Sequence, residues 1–80
     1  MNSLGPLLGF LSHVEALRLS HRIEHNRKDS IMVLIAVPGE RWEVEFFEDG
    51  RIELEIFGNS SAVFSVTLDD LLRRLAPRAS

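Results

Sequence analysis

The sequence predicts an α+β fold, in which an N-terminal and a C-terminal helix pack on one face of an antiparallel meander of four or five strands. Three observations support this prediction. Near both ends of the chain, apolar residues recur every three or four positions, the period of a helix with one buried face. Between these segments the period falls to two, as in a strand. Short turn-forming sequences separate the alternating runs, so the strands are expected to pair in chain order.

The first helix is predicted to begin before Leu7. Its apolar face consists of Leu7, Phe10, Leu11, Val14 and Leu17. Ser3 or Gly5 can cap this helix, and Pro6 is tolerated in the first turn because the N–H that it lacks has no helical partner there. We expect the helix to end near Ser20.

The strands are predicted from apolar residues at every second position. The first strand contains Ile23, and the second, from Ile31 to Val37, is apolar on both faces, as is typical of a central strand. After a tight Pro38-Gly39 turn, the third and fourth strands each alternate apolar residues with glutamates. Their apolar positions are Trp42, Val44 and Phe46 in the third strand and Ile52, Leu54 and Ile56 in the fourth. Residues 62–66 are compatible with a short fifth strand.

The last helix is predicted to follow Thr67-Leu68-Asp69-Asp70, a variant of the capping box. Its apolar stripe is Leu68, Leu71, Leu72 and Leu75, and we expect Pro77 to end it.

Length and composition indicate a single domain, residues 1–80, because so short a chain cannot divide into two cores. The absence of cysteine excludes disulfides and thiolate chemistry. A net charge of -3 argues against nucleic acid as a partner and favours a basic one. No apolar run is long enough to span a membrane and no signal-peptide pattern is present, so we expect a cytoplasmic location.

The register of the central hairpin can be predicted as well, because a one-residue slip would expose every apolar side chain of a strand. Placing Phe46 beside Ile52 requires a three-residue loop with Gly50 in the left-handed conformation. The same register places two pairs of glutamates directly opposite each other on the outer face, Glu45 with Glu53 and Glu43 with Glu55. Each pair of like charges is destabilising by on the order of a few tenths of a kcal/mol.

We therefore predict a partner-binding surface on the outer face of the sheet, where carboxylates lie beside exposed apolar anchors and arginines. Its residues are Glu43, Glu45, Glu53, Glu55, Met32, Leu34, Phe47, Phe57, Arg41 and Arg51. Two other interpretations stay open. The face can be an ordinary solvated one that resists aggregation, or it can hold a divalent cation, although a flat sheet lacks the carbonyl loop of such sites.

No pattern in the sequence indicates catalysis. His21 and His25 lie four residues apart on one strand, about 13 Å, too far to share one metal ion. The motifs of nucleophilic serine enzymes, phosphate loops and dinucleotide sites are missing. Trp42 is interpreted as a core residue. The sequence thus predicts no enzyme, no metal and no cofactor.

The run VPGERWEVEFFEDG, residues 37–50, resembles a group of short uncharacterised bacterial proteins that have a nearly identical central hairpin. This resemblance covers the middle of the chain and implies no activity. By size and charge alone, the chain is also similar to the immunity proteins that neutralise polymorphic toxins.

Two hypotheses about function follow. The first is a non-enzymatic protein-binding module, an immunity or antitoxin-like inhibitor of a basic toxin, that binds through the acidic sheet face. The second is a small structural or regulatory domain that self-associates as a homodimer, through the same face or through an edge strand.

Overall fold

The computed structural model describes residues 4–58 and 61–78 and confirms the predicted α+β fold. Two helices flank five strands in the order α1 (Leu4–Ala16), β1 (His21–Arg27), β2 (Ser30–Val37), β3 (Glu40–Phe47), β4 (Ile52–Phe57), β5 (Ala62–Ser65) and α2 (Leu68–Arg78). The strands form one antiparallel sheet in the order β1-β2-β3-β4-β5. The fifth strand is therefore present, and all neighbouring strands are joined by short connections. The proposed cap at Ser3 lies outside the described residues.

One face of the sheet holds the hydrophobic core, and both helices pack on it. The buried cluster consists of Leu7, Phe10, Val14, Val33, Ile35, Val37, Trp42, Val44, Phe46, Ile52, Leu54, Ile56, Leu71 and Leu75. Trp42 is completely buried, as predicted for a core residue. The rings of Phe10 on α1 and Phe46 on β3 lie 5.5 Å apart. Each large apolar side chain that is buried in this way contributes roughly 1.5 to 3 kcal/mol. Neither helix described in the structure is long and apolar enough to cross a lipid bilayer.

The two central turns adopt the conformations that the register requires. Gly39 has a φ of 78° and Gly50 a φ of 95°, values that favour glycine. In the second turn, the N–H of Gly50 donates to the carbonyl of Phe47 at 3.0 Å, and the N–H of Phe47 donates to the carbonyl of Arg51 at 2.9 Å. The pairing of Glu45 with Glu53 and of Glu43 with Glu55 is confirmed.

The prediction that α1 ends near Ser20 is wrong, because the helix ends at Ala16. The N–H of Leu19 donates to the carbonyl of Val14 at 3.2 Å, and that of Arg18 to the carbonyl of Glu15 at 3.0 Å. These are the two bonds of a Schellman motif, in which Arg18 has a φ of 58° where glycine is usual. This turn allows Leu19 to pack against the core, which explains why the helix stops there.

Helix α2 begins as predicted. The Thr67 side-chain oxygen accepts a hydrogen bond from the N–H of Asp70 at 3.2 Å, and Asp69 and Asp70 lie in the first turn, where the helix dipole favours acidic residues. Pro77 does not end the helix, because the helical conformation continues to Arg78. A proline in the last turn removes only one terminal hydrogen bond.

The outer face of the sheet as candidate binding surface

The candidate site is the outer face, by which we mean the face of the sheet opposite the two helices. The strand pairing brings all the predicted binding residues together on it: Met32 lies opposite Glu45, Leu34 opposite Glu43, and Arg41 opposite Phe57. Arg51 lies at the end of the hairpin loop, over the Phe47 ring. No helix within residues 4–58 and 61–78 covers this face, because both pack on the core side.

Glu45 differs from the other glutamates because it is buried, with 7% of its surface exposed. The Ser30 hydroxyl donates to its Oε2 atom at 2.6 Å, and Arg27 Nε lies 3.4 Å from the same atom. A buried carboxylate needs such partners to offset the loss of water. The expectation that Glu45 is exposed is therefore wrong, and its side chain helps to hold β2 and β3 together.

Ser30 and Arg27 are not among the residues that the sequence predicts for this surface, although both contact this carboxylate. The sequence does contain a signal for Ser30. When the β2–β3 register is extended by one residue, Ser30 pairs with Phe47. Glu45 is the neighbour of Phe47 on the same face of β3, so Ser30 lies diagonally across from Glu45. Arg27 could not be found in this way, because the β1–β2 register shifts between Glu24 and Arg27.

Phe47 is also buried, with 3% of its surface exposed, although it points away from the core. The Arg51 guanidinium lies 4.2 Å from the centre of the Phe47 ring, and that of Arg27 lies 5.9 Å from it. Flat guanidinium groups cover aromatic rings favourably in this way. The prediction that Phe47 is an exposed anchor is therefore wrong.

At the other end of the face, Arg41 covers Phe57. Its guanidinium lies 4.5 Å from the ring centre, and its Nη2 atom lies 3.5 Å from Glu43 Oε2. Phe57 is half-buried, as are Met32 and Leu34. The most exposed apolar side chain of the face is Val63 on β5, which lies opposite Glu55 and is 65% exposed. The sequence does not predict Val63 as a binding residue, because residues 62–66 are only compatible with a strand and their register is not fixed by a tight turn.

The hairpin loop contains a second paired carboxylate. The backbone N–H of Arg51 donates to Asp49 Oδ1 at 3.0 Å, and Arg51 Nε donates to Oδ2 at 2.9 Å. Both bonds lower the pKa of Asp49 below its ordinary value, and the backbone bond has the larger effect. The carboxylate in turn raises the pKa of Arg51. Arg51 also lies 3.6 Å from Glu53, so this one arginine joins the loop to the outer face.

The arginines lie around the acidic centre of the face and leave one glutamate without a cation. Arg27, Arg41 and Arg51 pair with Glu45, Glu43 and Glu53. Glu55 has no such partner within 4.0 Å among the described residues. A depression of about 30 Å³ lies at the centre, lined by Met32, Glu43, Glu45, Glu53, Leu54, Glu55 and Val63. This is enough space to hold a water molecule.

The histidines do not join this surface. His21 and His25 are exposed on the edge strand β1, and His21 Nδ1 lies 3.2 Å from the carbonyl oxygen of Leu19. In the part of the chain that the structure describes, no three His, Asp or Glu side chains are placed to share one metal ion.

Comparisons of this chain with protein-family models, with curated proteins and with solved structures found no match. The resemblance of residues 37–50 to short bacterial proteins therefore stays a prediction. What the outer face can bind has to follow from its own side chains.

Proposed function

We propose that this chain is a non-enzymatic protein-binding module that docks a basic protein on the outer face of its sheet. The observation that carries the proposal is that two pairs of glutamates face each other across β3 and β4, Glu43 with Glu55 and Glu45 with Glu53. They lie at the centre of a sheet face that no described helix covers. Like charges that face each other destabilise the free protein, and a cationic side chain placed between them would relieve that repulsion.

The four glutamates contribute unequally to such binding. Glu45 is occupied by Ser30 and Arg27 inside the fold. Three other glutamates are only half-buried, so their carboxylates are accessible from solvent: Glu43, Glu53 and Glu55. Glu55 is the strongest candidate for direct contact, because no cation among the described residues lies within 4.0 Å of it. We therefore place the centre of binding between Glu43 and Glu55 rather than between Glu45 and Glu53.

Apolar surface beside the carboxylates supports binding of a protein rather than of a free cation. Val63 is 65% exposed at the margin of the central depression, and Met32 lines the same depression. Arg41, stacked on Phe57, extends this mixed surface along the face. Interfaces between proteins combine apolar contacts that lose their water with a charged rim in the same way.

The partner class that we propose is a basic toxin, such as a nuclease, which the chain would inhibit as an immunity protein in the bacterial cytoplasm. The net charge of -3 and the acidic centre complement a cationic active site, and opposite charge accelerates association. Self-association is the second candidate, and the edge of the sheet formed by β1 favours it.

The experiment compares wild type with a Glu43→Gln/Glu55→Gln double variant. Partners captured from the source cell are identified by mass spectrometry, and the purified basic partner is titrated against both proteins by calorimetry at low and moderate salt. We expect binding at low salt to weaken on the order of ten-fold, because the variant loses two charges that act over a few ångströms. The difference should shrink as salt screens the charges.

A Glu15→Gln variant is the control for a charge lost elsewhere, since it removes one exposed carboxylate from α1 on the other side of the sheet. This control should bind like wild type. Equal affinities of wild type and double variant at both salt concentrations would contradict the proposal.

A further inference from the structure

A second exposed surface lies on the core side of the sheet, at the edge formed by β1. Four large apolar side chains are more than half exposed in the described residues: Leu4, Leu8, Ile23 and Val63. The first three form what we call the edge patch. Ile23 lies opposite the core residue Val33, so it points to the helix side of the sheet. Leu4 lines a cavity of about 240 Å³ together with His25 and Ile31, which places it at the same edge.

The edge patch is exposed because α1 lies over the middle of the sheet. Phe10 contacts Phe46 on β3, and an atom placed at the Cβ position of Gly9 would meet Leu68 of α2 at 4.0 Å. One flank of α1 thus faces α2. The flank with Leu4 and, one turn later, Leu8 faces the β1 side. Neither helix covers Ile23, which is 51% exposed.

The backbone of β1 also offers hydrogen bonds at this edge. The N–H of Ala36 on β2 donates to the carbonyl of Ser20 at 3.1 Å. In an antiparallel ladder, the residues that bond to one neighbour alternate with residues that point the other way. Arg22 and Glu24 therefore bond to β2, whereas His21 and Ile23 direct their N–H and C=O groups outward. Such an edge is a template for another strand.

We propose that β1 pairs with β1 of a second copy of this chain, antiparallel and with Ile23 opposite Ile23, to form a two-fold dimer with one continuous sheet. In this arrangement the outward N–H and C=O groups of Ile23 bond to those of its counterpart. The edge patches of the two copies meet across the two-fold axis, where Ile23, Leu4 and Leu8 lose their contact with water. This proposal does not rest on the binding of a basic partner, which uses the opposite face.

Charge selects this register among the neighbouring ones. Pairing centred on Arg22 would place arginine opposite arginine, and pairing centred on Glu24 would place glutamate opposite glutamate. Only the register centred on Ile23 places Arg22 opposite Glu24 of the second copy, and does so twice. Arg22 and Glu24 already lie 3.0 Å apart within one chain, so the dimer would join two ion pairs into a group of four charges.

The other edge of the sheet lacks these features. β5 has four residues, Ala62–Ser65, none of them charged, so no charge pattern selects a register there. The Arg74 guanidinium also covers the Phe64 ring at 4.4 Å. On β1, the register shift after Glu24 confines regular pairing to the first part of the strand.

The first test is the mass of the protein in solution by sedimentation equilibrium. Wild type should show twice the mass of the 9.1 kDa chain. The Ile23→Lys variant should show the mass of a single chain, because the change places two ammonium groups at the centre of the interface. Val63→Lys is the control. Val63 is a β-branched residue on the other edge strand and is 65% exposed, against 51% for Ile23, so this change should leave the dimer intact. Circular dichroism verifies that both variants fold.

The second test exchanges charges and is specific for the register. Arg22→Glu alone and Glu24→Arg alone should each weaken the dimer on the order of ten-fold, because each turns two attractive pairs into repulsive ones. An equal mixture of the two variants should form heterodimers, since every glutamate then faces an arginine. The Arg22→Glu/Glu24→Arg double variant should dimerise like wild type.

Three results would overturn the proposal: a single-chain mass for wild type at concentrations up to about 1 mM, a dimer that Ile23→Lys leaves intact, or a mixture that associates no better than its components. The Glu43→Gln/Glu55→Gln variant should remain dimeric. Failure of the dimer and failure of partner binding on the outer face can therefore be told apart.

Discussion

Replacing Glu45 by Gln is expected to destabilise the protein, whereas the same replacement of Glu55 is not. Both residues face another glutamate across β3 and β4, so the relief of repulsion is similar for the two changes. They differ in burial and partners. Glu45 is 7% exposed and accepts a hydrogen bond from Ser30 at 2.6 Å, with Arg27 at 3.4 Å.

The size of the effect follows from these contacts. A hydrogen bond to a charged group contributes about 1.5 to 3 kcal/mol, against about 0.5 to 1.5 kcal/mol for a neutral one, so the change to an amide at Glu45 costs about 1 kcal/mol. Loss of the ion pair with the exposed Arg27 adds a few tenths, about the gain from reduced repulsion of Glu53. The net loss is about 1 kcal/mol, which lowers the Tm of a chain this short by roughly 4 to 8 °C. Glu55→Gln should leave the Tm equal or slightly higher.

Thermal and urea unfolding of wild type, Glu45→Gln, Ser30→Ala and the double variant provides the measurement. If the Ser30 hydroxyl and the Glu45 carboxylate act together, the double variant should lose less free energy of unfolding than the two single variants lose in sum. The difference, the coupling free energy, should be about 1 kcal/mol. A Glu45→Gln protein at least as stable as wild type would refute the reasoning, since repulsion from Glu53 would then outweigh the bonds to Ser30 and Arg27.

Two further predictions concern the turns. Arg18→Gly should stabilise the protein by about 0.5 to 1 kcal/mol. The left-handed φ of 58° costs a non-glycine residue about 1 to 2 kcal/mol, and glycine removes this cost. Part of the gain is offset because glycine also makes the unfolded chain more flexible. Ala16→Gly, in the last turn of α1, should destabilise it, and chemical denaturation distinguishes the two signs. In an NMR titration, Asp49 should titrate below the ordinary aspartate pKa of about 3.9. The carboxylate of Asp49 then contributes to stability at a pH above the ordinary aspartate pKa. This contribution is lost as the pH falls through the lowered pKa of the folded protein. In Arg51→Ala the pKa should rise only part of the way, because the backbone N–H still donates, and an unchanged pKa would show that the guanidinium has no effect.

The burial of Glu45 and Phe47 changes how the outer face is understood. Two of the ten predicted binding residues contribute to folding, and the arginines at the margin cover aromatic rings as well as pairing with carboxylates. The surface left for a partner is therefore smaller than the sequence indicated. It is centred on Glu43 and Glu55 and bordered by Val63.

The element order, the sheet order and the register of the central strands follow from the amino-acid sequence alone. These features depend on local periods and on short turns. With Gly39 and Gly50 at positions of positive φ, the alternation in residues 42–57 permits one pairing that places all six alternating apolar side chains on the core face: Trp42, Val44, Phe46, Ile52, Leu54 and Ile56. The opposed glutamates follow directly from that pairing.

The exposure of each residue on the outer face and the end of the first helix depend instead on tertiary packing. Strand alternation states which face a side chain is on, but not whether a long arginine from a neighbouring strand or loop covers it, as Arg27 and Arg51 cover Phe47. In the same way, α1 ends at Ala16 because packing of Leu19 against the core outweighs the backbone cost at Arg18. Ile23 remains half exposed because two helices are too few to cover five strands, a property of the whole fold that no local pattern contains.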